Sequence, residues 1–522
     1  MIGPVPLRRL VVVLGDQLDP ASGAFDGFDA ARDAVWMAEC ASECVHVWAH
    51  QLRIAAFLAA MRHFRDLLEA RGVRVHYHAL QADAARDRGE SHADILRADL
   101  ARLRPKEVVV LQPGDLRVLE SLQVAVNDVP LEVREDRHFY CTVPEFVRWA
   151  ETRRQLRLED FYRLMRRRHR ILVDAEGEPE GGAWNFDADN RKAFGRDGPP
   201  PMPPAPRFAP DPVSREVLEM VATRFSSHPG RLDRFDVPVT PGDAEALLAH
   251  FIEWKLPLFG DWQDAMWEGE DVLAHSRLSF VLNLHLLDPR RCVDAAVAAW
   301  REGRAPLNAV EGFVRQVLGW REYVRGIYWT RMPAYAGLNA LGCEDNGVPS
   351  FYWDGDTDMA CVRDAMRNVL ANGYAHHIQR LMVLGLFALL AGVHPKRFHD
   401  WHMAMYLDAV DWASLPNALG MSQYGDGGVV GSKPYCASGA YIQRMSNHCA
   451  GCRFEPRSAT GEAACPFTTL YWDFLERHRA RFARNPRMAQ QVRNLERKAD
   501  VERASIRDEA ARLRGRIRWE KR

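Results

Sequence analysis

Residues 10–17, Leu-Val-Val-Val-Leu-Gly-Asp-Gln, decide the fold class of the first part of this chain. Five apolar residues, three of them β-branched, are too short a run for a helix and suit a strand buried on both faces. Gly15-Asp16-Gln17 then breaks the run. Comparable runs stand at residues 45–48, 73–77, 108–111 and 131–133. Among them, residues 54–70 set Phe57, Met61, Phe64 and Leu68 on one helical stripe. Strand and helix in alternation predict a parallel sheet with helices on both faces. Ligands of such sheets sit beyond the carboxyl ends of the strands, where Asp16 falls. No GxGxxG pattern follows the first strand, so there is no nicotinamide fingerprint.

Working outward, residues 177–212 are a linker, with Pro199, Pro200, Pro201, Pro203, Pro204 and Pro206 close together. Inside it, Trp184-Asn185-Phe186-Asp187-Ala188-Asp189-Asn190-Arg191 is unusually aromatic for a spacer. Such a loop is either functional or pinned to a domain surface by Trp184 and Phe186. Beyond it the pattern is helical, and no internal repeat is visible. These patterns divide the chain into an α/β domain at 1–145, a connecting helix and loop at 146–212, a helical domain at 213–500 and a charged tail at 501–522. With 522 residues, 47% hydrophobic and 27% charged, the composition is that of a soluble globular protein. The longest apolar stretch, residues 381–393, has 13 residues, short of the ~20 of a membrane span. No targeting segment is visible, so a cytoplasmic location and free thiols are expected.

The net charge of −1 does not suggest a nucleic-acid partner, but its distribution does. Residues 476–522 carry 16 Lys and Arg against 7 Asp and Glu, and residues 153–170 carry eight Arg. Arg163, Arg166, Arg167 and Arg170 share one helical face. Such a face is either solvated or a phosphate contact. The strongest chemical signal is Cys449-x2-Cys452-x12-Cys465-Pro466. Two thiolates at this spacing reach one metal, and zinc and iron–sulfur centres both use it. Cys361, Cys436 and His448 are all candidates for the fourth ligand.

Four further segments occur in a recognisable order. They are His275-Ser276-Arg277-Leu278-Ser279-Phe280, Gly319-Trp320-Arg321-Glu322-Tyr323, Tyr374 to Met382, and DAVDWASLPNALGMSQYGDGG at 408–428. Together they resemble the flavin-binding segments of photolyases and cryptochromes. With Cys361, Cys449, Cys452 and Cys465 as the ligand set, the chain is similar to iron–sulfur bacterial cryptochromes and photolyases of the prokaryotic (6-4) type. The resemblance implies an α/β antenna domain and an all-α domain holding U-shaped FAD. It also implies a 4Fe–4S cluster and a 6,7-dimethyl-8-ribityllumazine antenna near Asp16, Glu39 and Glu43. The expected partner is UV-damaged DNA, repaired by a monomer with no membrane contact.

The same resemblance assigns roles by position. His275, Ser276, Arg277, Leu278, Ser279, Trp320, Arg380, Asp408 and Ser414 would hold the flavin. His377 would face the lesion as proton donor, with Tyr435 and Arg191 beside it. Trp401 and Trp353 would carry electrons to the flavin, and Asp187 would help hold Mg2+. Leu381 stands where animal (6-4) photolyases have a second His. Ser414 replaces an expected acidic residue, and His402 stands where the branch often has Tyr. A blue-light sensor of the same fold and a zinc-stabilised nucleic-acid-binding module are the alternative readings.

Overall fold

The computed structural model describes residues 7–520. Five strands, β1 (Arg9–Val12), β2 (Asp33–Ala38), β3 (Val75–His78), β4 (Glu107–Leu111) and β5 (Leu131–Arg134), form one sheet. Its order is β3-β2-β1-β4-β5 and every pairing is parallel. Side chains alternate across the sheet as strand geometry requires. Val11, Val35 and Val109 face the large core that continues into the helical domain. Leu10, Val12, Trp36 and Val110 face a smaller core under the helices His92–Leu103 and Leu116–Ala125.

One expected strand is wrong. Residues 45–48 end the short helix Ala41–Val45 and turn into the helix Gln51–Ala70. The second strand is Asp33–Ala38, buried at every residue. The Val-His-Val-Trp alternation mimics an edge strand, whereas the true strand is central and covered on both faces, so it carries no period-two signal.

The strand order reverses between β1 and β4, so the crevice beyond their carboxyl ends is the topological switch point. Asp16 and Gln17 follow β1 here, and Gly114 and Asp115 follow β4. Gln17 Nε2 donates to the carbonyls of Leu111 and Gln112, both at 3.3 Å. A side chain at Gly114 would collide with the Asp16 carboxylate and Trp412. Trp412 arrives from the helical domain, its N–H bonded to the Gly114 carbonyl at 3.1 Å.

The helical domain rests on this junction through buried charges. Arg321 stacks on Phe139 at 3.9 Å and reaches His138 Nδ1 at 2.9 Å, and Glu322 accepts the Cys141 N–H at 2.9 Å. The segment expected to hold flavin through Trp320 thus spends its charged pair on the domain interface. The charged tail is docked: the helix Asp500–Arg516 leads to Trp519, which bridges Pro349, and Arg514 pairs with Asp473 at 2.6 Å. No helix among the described residues is long and apolar enough to cross a membrane.

Candidate flavin and cysteine sites

The helical segments 275–283, 374–380 and 401–408 come together around the Arg380–Asp408 pair. Arg380 donates to Asp408 at 2.9 Å and to the Ala375 carbonyl at 2.6 Å. Burial pushes the Asp408 carboxyl up, but the Arg380 charge and hydrogen bonds from Arg380 and Ser279 leave it below its usual range. Asn283 donates to the Asp408 carbonyl at 2.8 Å. Leu278 N–H is bonded to Ser276 Oγ at 3.3 Å, and Arg277 takes a left-handed backbone (φ 58°). His275 stacks on His376 at 4.5 Å, and burial brings His275 down to about 3.

His377 opens the short helix His377–Gln379 with its side chain exposed, and the surrounding protein, then the charge of Arg380, brings it down to about 4. It is therefore a neutral imidazole at pH 7, with one N–H to donate.

Several groups of this site were not singled out in the sequence. Lys255 is buried, its ammonium bonded to the Leu273 carbonyl at 2.9 Å, and burial, then Arg277, brings it down to about 8. Tyr406 lies under the Arg380 guanidinium at 3.9 Å with its hydroxyl buried and unpartnered. His376, with both ring nitrogens unpartnered, and His402 Nδ1 are likewise buried orphans. Buried polar groups without protein partners beside the Arg380 guanidinium, with the Lys255 ammonium lacking a bonded carboxylate among the described residues, suit an anionic, polar-rimmed ligand such as FAD. Lys255 is invisible in the sequence because one Lys in an aromatic stretch has no pattern. Trp320 sets its ring edge-on to Tyr323 at 6.1 Å. Ser414 is buried in the helix Asp411–Leu415.

The interdomain loop brings Asp187 and Arg191 near Asp264 and Tyr435. Burial, with Asp187 adding to it and Arg191 opposing, raises Asp264 to about 6. Asp264 was not anticipated. Asp187 is already paired with Arg315 at 2.6 Å, so a cation there has to displace that guanidinium. The loop is anchored by Phe194 against Trp262 at 5.5 Å and by Lys192–Asp261 at 2.8 Å.

The arginine face needs correction. Arg166 is wholly buried and donates to the carbonyls of Ile171, Leu172 and Trp184. Arg163 and Arg167 pair with Glu159 and Glu178, and all three guanidiniums stack on Trp184, at 5.5, 5.0 and 4.7 Å. The stripe holds the loop. Arg170, exposed beyond the helix, stays available for phosphate.

Trp401 is buried, donates its indole N–H to the Tyr352 carbonyl at 2.9 Å and meets Tyr406 at 5.6 Å. Trp353 is half-buried with its indole nitrogen unpartnered.

The expected antenna carboxylates divide. Glu39 is fully used: Oε1 accepts from Arg62 Nε at 2.7 Å and Tyr77 hydroxyl at 2.6 Å, Oε2 from Arg62 Nη2 at 3.0 Å and Leu80 N–H at 2.8 Å. It is a buried clamp with no acceptor left for an antenna. Glu43 forms a two-bond pair with Arg117, both at 2.8 Å, and is lowered to about 2 by that pairing against the cost of burial. Asp16, at the switch point, is raised to about 7 by burial and by Asp136, Asp115 and Glu43. The unfolded chain releases this proton near pH 3.9. Stability from Asp16 is therefore full below about pH 4 and lost by about pH 7. In Asp16→Asn this loss is absent, so urea unfolding should show the variant gaining on the parent between those values and no further above them.

Cys361, Cys449, Cys452 and Cys465 line one small cavity together with His448. Cys436 is not among its walls. Burial first, and neighbouring thiols, raise Cys361, and Cys449 goes up to about 12. A side chain at Gly439 would stand 2.8 Å from Cys465 Sγ. His448 Nε2 is bonded to Asp364 at 3.0 Å. Among the described residues no set of three or more His, Cys, Asp or Glu converges as a single-ion site. Four thiols around one cavity are a donor set that zinc and iron–sulfur centres both use.

Comparison with known proteins agrees with this layout. Residues 11–237 match the family model described as deoxyribodipyrimidine photo-lyase-related protein. The chain is 43% identical over 507 residues to a protein named (6-4) photolyase from Agrobacterium fabrum, covering 97% of this chain and 99% of that one. A bacterial class III photolyase from Agrobacterium tumefaciens shares the fold at a TM-score of 0.52 and 14% identity, over 84% of this chain and 86% of that one. A cryptochrome from Synechocystis does so at 0.52 and 13%, over 84% and 89%. The sheet domain and the helical domain are those of the photolyase fold. The chain belongs to the (6-4) photolyase family.

Proposed function

We propose that this chain repairs (6-4) pyrimidine–pyrimidone photoproducts in DNA under light. The observation that carries the reading is the buried Arg380–Asp408–Ser279 group with His377 beside Arg380. FAD, when bound, supplies the light-excited electron. Lys255 and Arg277 would neutralise its phosphates, and Arg380 would keep positive charge beside its ring. His377, neutral and exposed, would hold an N–H donor against a lesion flipped out of the duplex. Tyr435 and Arg191 would line the lesion's approach. Trp401 and Trp353 would replace electrons from the protein side. The thiol quartet would hold a 4Fe–4S cluster, and the switch-point crevice with Asp16 and Glu43 a lumazine antenna. Mg2+ at Asp187 is a further expectation, contingent on the release of Arg315.

The test uses protein loaded with flavin and an oligonucleotide bearing one (6-4) lesion. Illumination should restore the unmodified bases, and His377→Asn should slow this by about 100-fold or more with flavin and DNA binding kept. Unrestored lesions with the parent protein would overturn repair and favour the light-sensor reading.

DNA binding gives a separate expectation. Arg170→Ala should weaken binding to damaged and undamaged DNA alike and lower the salt slope by about 1. Arg166→Ala should lower the melting temperature instead. Equal salt slopes for Arg170→Ala and the parent would remove Arg170 from the DNA surface.

A further inference from the structure

The loop misread as a strand, residues 45–50, reaches across to the helical domain and is clamped there. His50 N–H donates to the Ala404 carbonyl at 2.8 Å. The His50 ring accepts the Leu52 N–H on Nδ1 at 3.0 Å and meets the Leu370 carbonyl with Nε2 at 3.1 Å. A neutral imidazole protonated on Nε2 satisfies both. His228 Nδ1 lies 2.8 Å from the Ala49 carbonyl. These bonds fix Trp48 against Trp353, ring centroids 5.0 Å apart and planes at 43°. Ala404 lies one helical turn from Trp401 in the helix Pro395–Met405, so the same clamp ties the loop to the inner tryptophan's helix.

We propose that Trp48, from the sheet domain, is the outer end of the electron path whose inner members are Trp401 and Trp353. The proposal rests on the reading of those two given above. An indole that has lost an electron becomes a strong N–H acid, and its radical settles only where that proton can leave. Trp401 offers its proton to the amide carbonyl of Tyr352, a very weak base. Trp353 has no acceptor for its buried indole nitrogen. Neither is a place where the positive charge can rest. Trp48 is half-buried too, but its indole nitrogen, unlike that of Trp353, is not a buried one without a partner.

The step balances simply. Trp48 gives one electron to the Trp353 radical cation, which returns to neutral indole, and the Trp48 N–H proton passes to water. An external thiol then returns one hydrogen atom to the neutral Trp48 radical, and two thiyl radicals couple to a disulfide. The oxidant that starts the sequence is the photoexcited oxidised flavin.

The experiment follows tryptophan radicals by transient absorption in the flavin-loaded full chain, alongside photoreduction in a thiol buffer. Trp48→Phe should shorten the radical lifetime severalfold and slow photoreduction. Trp353→Phe should do the same, and the double variant should be no worse than Trp353→Phe alone, because the two act in series. Trp48→Tyr should restore a long-lived species bearing a tyrosyl spectrum. It also guards against a folding defect in the Phe variant. Parental kinetics in both Trp48 variants with slow kinetics in Trp353→Phe would end the path at Trp353 and overturn the proposal. Parental kinetics in Trp353→Phe would overturn the underlying reading and the proposal with it.

Discussion

Glu39→Leu should lower the free energy of unfolding by about 3–5 kcal/mol, the cost of leaving a buried partner unpaired. Arg62 is 3% exposed and reaches only one further carboxylate, that of the largely exposed Glu216, at 3.1 Å. Removing Glu39 strands the buried guanidinium, the Tyr77 hydroxyl and the Leu80 N–H together. Each of these donors pays its own desolvation cost when unmatched. The clamp joins the end of β2, the helix Gln51–Ala70 and the residues after β3, so the loss falls on the sheet's outer half. Urea unfolding should register it with or without an antenna bound. Arg62→Met with Glu39→Leu should recover part of the stability, because an apolar pair replaces a buried charge pair without leaving either charge alone. An unchanged midpoint in Glu39→Leu would return Glu39 to an antenna role.

Glu39 also shows where sequence reading stops. A carboxylate just past a strand, in an α/β pattern, reads as a ligand group. Its true partner is Arg62, 23 residues on, and no local spacing announces that pair. The arginine stripe fails similarly. Its spacing does place the side chains on one face, but that face meets Trp184, and only tertiary packing distinguishes a loop anchor from a phosphate surface. Strands with apolar runs such as residues 10–14 and 108–111 were legible because burial on both faces selects such runs. The Arg380–Asp408 pair, by contrast, was accessible through family resemblance. Lys255 and Tyr406 were not, since their meaning lies in the absence of a partner, which only packing reveals.

The cysteine spacing alone left zinc and iron–sulfur open, and the structure places the four thiols around one cavity. Cys361 opens the helix Ala360–Asn372, Cys449 and Cys452 sit in an irregular turn, and Cys465 immediately precedes the helix Pro466–Arg477. Three separate elements therefore depend on one cavity for their mutual position. Burial favours the protonated thiols, so cluster assembly must release protons and should be slower at low pH. Cys361→Ser should abolish the broad visible absorption of an iron–sulfur centre in anaerobically purified protein. It should also lower stability by about 4 kcal/mol or more, the range reserved for loss of a metal or similar anchor. Cys436→Ser, outside the cavity, should keep both colour and stability. Full iron and sulfide content in Cys361→Ser would remove Cys361 from the ligand set and reopen His448, the remaining wall residue able to bind a metal. His448 would first have to turn its bonded nitrogen from Asp364 or use Nδ1, which is buried and unpartnered. A tetrahedral zinc signature in the parent protein, with no sulfide, would instead overturn the cluster reading.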